Sequence, residues 1–247
     1  MASLSNLRRD PVILGLVASL VLLQVAAHAV QSNWSYYPIE KFPWNERMVG
    51  LPIAMVGLAV GVVQGGLIRI IIPKLGQIRS VYTGLGLNSL GFFRYAAATA
   101  TWMMFAFTVV YCLGGIAGPA LQGLISGQVP PNEQGELQGA LTSLMSLTAI
   151  VGPPLMANTF AWFTGPAAPF YVPGAALTLG GILTLIGAIL ARGSLKRTVG
   201  HQQDWNLHRP ILFILFILSS RSSRLDQRGG KATDRMTGRT GWSVPFR

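Results

Sequence analysis

A bundle of six membrane-spanning α-helices is the fold class this sequence predicts, on three observations: long unbroken apolar stretches, scarce charge, and basic residues in alternate connections. Of 247 residues, 51% are hydrophobic and 11% charged, with a mean hydropathy of +0.47. A soluble domain usually carries about 25% charged residues. A membrane barrel would show segments of about 10 alternating residues, whereas the apolar runs here are long and continuous. Helices are therefore the expected spanning element.

Six stretches reach the roughly 20 helical residues needed to cross the hydrocarbon layer. They are residues 11–31, 49–72, 80–98, 102–126, 137–163 and 170–191. Arg8 and Arg9 precede the first. The connection after it holds Glu40, Lys41, Glu46 and Arg47, which cancel. Lys74 and Arg79 flank the second turn, while the turns near residues 99–101 and 164–169 carry no charge. The fourth connection is acidic, with Glu133 and Glu136, but Asp and Glu weigh little in setting topology. Alternate basic connections place both termini in the cytoplasm. Trp34, Tyr36, Tyr37, Trp44, Trp102 and Trp162 gather at ends on the opposite face, where aromatic rings favour the headgroup layer.

The net charge of +11 does not indicate nucleic-acid binding, because of where it lies. Residues 192–247 hold eleven Lys/Arg and three Asp, a net +8, and residues 1–191 hold eight Lys/Arg and five Asp/Glu, a net +3. The excess sits after the last span, where it sets topology. The chain thus divides into a short N-terminal connection (1–10), a six-helix domain (11–191) and a basic tail (192–247). Within the tail, the eight apolar residues 211–218 are too few to span. They fit either an interfacial segment or an out-of-frame extension, and residues 221–247 read as disordered. The N-terminus also resembles a secretory signal, with Arg8-Arg9, an apolar stretch and Ala27-His28-Ala29. The length of that stretch favours a retained span.

Polar residues inside apolar spans are the candidate functional groups, because a polar group facing lipid costs several kcal/mol. Gln24, His28 and Gln31 fall at i, i+4 and i+7, one face of the first helix. Two readings stay open there: a substrate or proton path, with histidine titrating in the working range, or interhelical hydrogen bonding. Gln64 and Asn88 are isolated amides in the second and third helices. Arg94 lies near enough to a helix end to snorkel to the interface. Gly114 and Gly118 form G-x-x-x-G, and Gly139 with Ser143 repeats the small-residue spacing, which lets helix backbones approach closely. Pro119, Pro153 and Pro154 remove backbone donors and are expected to kink their helices.

No enzyme motif is present: no G-x-S-x-G elbow, no H-E-x-x-H, no phosphate loop. The three histidines are too scattered for a metal site, and the single cysteine, Cys112, lies in an apolar run and reads as packing. The sequon Asn33-Trp34-Ser35 reads as chance. No catalytic activity and no cofactor are expected.

Several of these segments are similar to a known family. The run Gly114-Gly115-Ile116-Ala117-Gly118-Pro119-Ala120-Leu121-Gln122-Gly123 resembles the fourth helix in the C-terminal half of tetracycline/proton antiporters of the major facilitator superfamily. The loop Val129-Pro130-Pro131-Asn132-Glu133-Gln134-Gly135-Glu136 and the helix from Leu137 through Gly152-Pro153 resemble the fifth. Arg9-Asp10-Pro11-Val12 resembles the exit from that family's central cytoplasmic loop, which makes residues 1–10 its remnant. Phe42-Pro43-Trp44 resembles the first external loop, and Lys74-Leu75-Gly76-Gln77-Ile78-Arg79 a degenerate copy of the loop signature. The resemblance covers roughly residues 8–192.

The resemblance implies two six-helix halves with substrate between them, a proton gradient as driving force, a bacterial inner-membrane location and a small amphipathic drug as cargo. Gln24, His28, Gln31, Gln64, Asn88 and Gln122 would line the cavity, and Gly114, Gly118, Pro119 and Pro153 would shape packing and bending. Asn88 stands where some members carry a carboxylate, and an amide cannot carry a proton. Only the C-terminal half is represented, which points to a truncated reading frame. Two alternatives stay open: a transport-incompetent membrane fragment that pairs with a missing N-terminal half, and a half-size transporter that pairs with a second copy of itself.

Overall fold

The computed structural model describes residues 11–42, 46–166, 168 and 170–198. Every element among them is helical. Helix α1 is Pro11–Asn33, with proline at the first helical position, where its missing N–H costs nothing. A short helix α2, Tyr36–Lys41, follows. Helix α3, Glu46–Val62, runs through a π-helical segment, Val63–Leu67, into α4, Ile68–Leu75. Then come α5 (Gln77–Ala97), α6 (Thr101–Gly114), α7 (Ala117–Gly127), a 3-10 turn (Pro131–Glu133), α8 (Gln134–Thr164) and α9 (Ala175–Thr198). The described residues belong to one unit, Met1–Gln203; a second, Asp204–Arg247, lies outside them, as do residues 1–10, Trp44 and the tail beyond 198.

Among the described residues, five stretches are long and apolar enough to cross a membrane: Pro11–Asn33, Ile53–Leu75, Thr101–Gly127, Pro131–Thr164 and Ala175–Lys196. The fold is an all-α membrane bundle. The remaining expected span, residues 80–98, is a helix of full spanning length, α5, with 21 residues, but it is not among these five. Its residues explain why. Thr83, Asn88 and Ser89 are buried in it, and two of its glycines, Gly84 and Gly91, serve close packing. A Cβ on Gly84 would lie 2.6 Å from the Ala117 backbone nitrogen, and one on Gly91 would lie 2.9 Å from Tyr111 Cα. Backbone-to-backbone approach of this kind is how membrane helices associate without a hydrophobic driving force.

The fourth expected span is broken. Its two pieces, α6 and α7, part at Gly115-Ile116. Pro119 has no N–H for the carbonyl four residues earlier, and its ring crowds that carbonyl, which belongs to Gly115. Pro153 and Pro154, by contrast, sit inside a helix that is assigned without interruption. The last span begins at Ala175 rather than 170, directly after Pro173-Gly174, and runs past the expected end at 191. Buried Ser194 and Leu195 hold that final turn on the bundle.

Helix α9 packs antiparallel against both α1 and α5. Ser19 Oγ donates to Gly187 O (2.8 Å), and Ser89 Oγ donates to Gly181 O (3.1 Å). Two apolar clusters fill the bundle. One joins Leu16, Leu20, Leu85, Leu121, Ile125 and Leu141 toward the α4–α5 turn. The other joins Ala29, Tyr37, Phe92, Tyr95, Met104 and Met156 toward α2.

The α4–α5 turn is made by Gly76 alone, with φ +81° and ψ 155°. L-residues essentially never adopt this conformation. Nothing lies within 4 Å of a Cβ built there, so Gly76→Ala meets strain without a clash. The variant is expected to lose about 1–3 kcal/mol, read as a lower unfolding temperature in detergent with unchanged helical circular dichroism.

Candidate functional site

Helix α1 buries Leu16, Leu20, Leu23, Ala26 and Val30 along one side. Gln24, His28 and Gln31 lie on its flank, roughly a third of a turn from that side at 3.6 residues per turn. Gln24 and His28 are half-buried and Gln31 is exposed. None of the three hydrogen-bonds to another described residue. His28 presses its imidazole edge against Gly152 of α8, where even a single added methyl would collide with the ring. Gly152 is the residue before Pro153-Pro154, so the histidine meets α8 where two successive backbone donors are missing.

The other candidates lie apart from this flank. Gln64 is exposed and falls in the π-helical segment. Such segments are frequent at functional sites. Asn88 is 5% exposed, with its backbone against Gly114 and its Oδ1 without a hydrogen bond from another described residue. Gln122 is exposed on α7. Within the G-x-x-x-G pair, Gly114 makes a close contact and Gly118 has open space around its Cβ position. Pro119 is exposed in the first turn of α7, and Pro153 is half-buried in α8.

A polar network at the α2 end was not anticipated. Tyr37 is 2% exposed, whereas Tyr36, Trp102 and Trp162 are exposed. Its hydroxyl donates to Tyr95 O (2.7 Å) and accepts from Lys41 Nζ (3.0 Å), which also donates to Ala96 O (2.9 Å). These carbonyls belong to the last turn of α5, where helix carbonyls run short of intrahelical donors; Tyr95 O also accepts the Ala98 N–H (3.2 Å). Burial holds the Lys41 ammonium below the usual lysine range. Tyr95 donates in turn to Thr108 Oγ1 (2.6 Å). Asn33 Nδ2 donates to Ala29 O and Met156 O (3.2 and 3.3 Å), which ties α1 to α8. Asn33 is therefore buried and unavailable as a glycosylation acceptor. Ala29, Val30, Asn33, Trp34, Tyr37, Tyr95, Met104 and Leu177 surround a cavity of about 10 Å³, and none of the six polar candidates lines it. The spacing of Trp34, Tyr37 and Lys41, at i, i+3 and i+7, was the available signal. The same residue types also mark a headgroup layer, and that reading hid it.

Among the described residues no cluster of His, Cys, Asp and Glu could hold a metal ion. Arg94 is exposed, with its guanidinium 5.9 Å from the Phe107 ring centroid, in the last turn of α5. Trp102 and Trp162 point outward, 66% and 67% exposed.

Fold and polar flank together define a multi-helix membrane protein with unpaired polar groups inside a spanning segment. In sequence, the chain resembles the tetracycline resistance proteins. It is 36% identical over 147 residues to the class E tetracycline resistance protein of Escherichia coli, covering 60% of this chain and 36% of that one. It is 30% identical over 166 residues to the class C protein of Escherichia coli, covering 63% of this chain and 42% of that one. The human Hippocampus abundant transcript-like protein 1 is 28% identical over 162 residues, covering 66% of this chain and 32% of that protein. The chain therefore spans less than half the length of each of these relatives. No family model matches the chain. No solved structure matches it significantly.

Proposed function

We propose that this chain supplies the C-terminal half of a proton-driven drug exporter of the major facilitator type, located in a bacterial inner membrane with both termini in the cytoplasm. The observation that carries this reading is the α1 flank. Gln24, His28 and Gln31 have no hydrogen-bond partner among the described residues, and in lipid each would cost several kcal/mol. A wet, protein-lined cavity removes that cost. A second six-helix half, packed on this side, supplies the opposing wall that alternating access requires. The relatives named for tetracycline resistance make a small amphipathic drug of that class the first cargo to test.

The test uses cells that express the chain alone, and cells that also express an N-terminal half in trans. Tetracycline accumulation is measured with and without a protonophore. Energised efflux is expected only when both halves are present. His28→Leu in that pair is expected to slow efflux about fivefold, the loss of roughly one hydrogen bond's worth of substrate contact. Efflux by the chain alone would instead make it a complete transporter, paired with a second copy. No efflux in either arm, with both halves shown to be in the membrane, would overturn the proposal.

A further inference from the structure

The geometry points to a binding site for an anionic phospholipid on the outer face of α9, at the end of the bundle where α5 begins. Ile182, Ile186 and Ile189 lie at i, i+4 and i+7 and are 43%, 42% and 63% exposed, with Leu185, 48% exposed, beside them. The same stripe continues through Gly193, which has open space at its Cβ position, to Lys196. Arg192 completes the neighbouring row, Leu185-Ile189-Arg192-Lys196, and both cations are exposed. One helix face thus presents about two turns of bulky apolar side chains that end in two positive charges.

The adjoining helix adds a polar edge. Tyr82 of α5 is half-buried against the same apolar cluster as Ile78 and Ala188, and close enough to Arg192 to feel its charge. Its hydroxyl has no hydrogen bond to another described residue. Lys74, exposed just before Gly76, puts another cation at this end of the molecule. The two carboxylates of the same end stand on other elements, Glu133 in the 3-10 turn and Glu136 in the first turn of α8, and Glu136 is already engaged.

An acyl chain fits the isoleucine stripe, and a phosphate fits the donors above it. Guanidinium, ammonium and phenol are all donors, so the headgroup that matches is a net-negative one, such as phosphatidylglycerol. A choline headgroup would bring a cation against two cations. A second protein helix is a poorer match, because close helix contact in a membrane favours small residues over isoleucine. The site does not depend on transport.

The test is local quenching of tryptophan fluorescence in the full chain carrying Ile189→Trp, reconstituted in bilayers. Brominated phosphatidylglycerol and brominated phosphatidylcholine are compared, and the signal of the parent chain is subtracted. A preference for phosphatidylglycerol of roughly thirtyfold is expected, from two cations near the headgroup layer. In Arg192→Gln/Lys196→Gln the preference is expected to fall to near one. Equal quenching by the two lipids in the parent-cation chain would overturn the site. So would a preference that survives the double substitution, which would assign the attraction to the basic tail. Absence of quenching by either lipid would show that protein, not lipid, covers the stripe, and would overturn it as well.

Discussion

Gly114→Ala is expected to destabilise the bundle by about 1–3 kcal/mol, the range for overpacking a close-packed interior, or to prevent assembly in the membrane. The added methyl would lie 2.6 Å from both the backbone nitrogen and the Cα of Asn88. Neither is the free end of a flexible side chain, so α5 and α6 would have to separate. Gly118→Ala is the matched comparison. It falls four residues later, in the same G-x-x-x-G, and nothing lies within 4 Å of its Cβ position. Alanine is also the better helix former, by up to about 1 kcal/mol. Denaturation of the two variants in detergent therefore separates a contact from a spacing. Equal losses would contradict the close approach of α6 to α5.

Removing Tyr37 is the other large effect. Tyr37→Ala deletes a ring that is 2% exposed and packed with Tyr95 and Met104, and it is expected to cost about 3–5 kcal/mol. Tyr37→Phe keeps the ring and loses the hydroxyl between Lys41 and Tyr95 O, for about 1–3 kcal/mol. Hydrogen exchange gives the local readout. In both variants the amides of α2 and the last turn of α5 are expected to exchange faster, while those of the α4–α5 turn do not change. Uniform acceleration along the chain would mean that Tyr37 acts through global stability alone.

Much of the fold was legible because lipid imposes one dominant constraint. With no water to satisfy backbone groups, a long apolar run has to be a helix. Among the described residues, five of the six expected spans are apolar helical stretches of sufficient length, one of them broken. The exception shows the limit of the rule. Helix α5 is built from glycine, Thr83, Asn88 and Ser89, residues that pack against other helices and carry little hydropathy signal. The break at Gly115-Ile116 was visible only as Pro119, since a proline signals its effect four residues upstream.

The candidate site was legible in part. Gln24, His28 and Gln31 share a face because helical periodicity is local, and that sharing needs no tertiary information. Whether the face met a neighbour could not be read from spacing. The fold set the flank beside α8, with His28 against Gly152 and without hydrogen bonds to other described residues.

By itself, then, the sequence determined the class of structure, the approximate places of five apolar spans and the polar side of α1, all consequences of residue-by-residue hydropathy and a fixed helical period. Only the tertiary structure decided that Tyr37 is core rather than surface, that Gly114 makes a close contact where Gly118 does not, and that α9 runs on past residue 191. Each of these depends on which atoms a distant part of the chain brings alongside, and no local pattern contains that information.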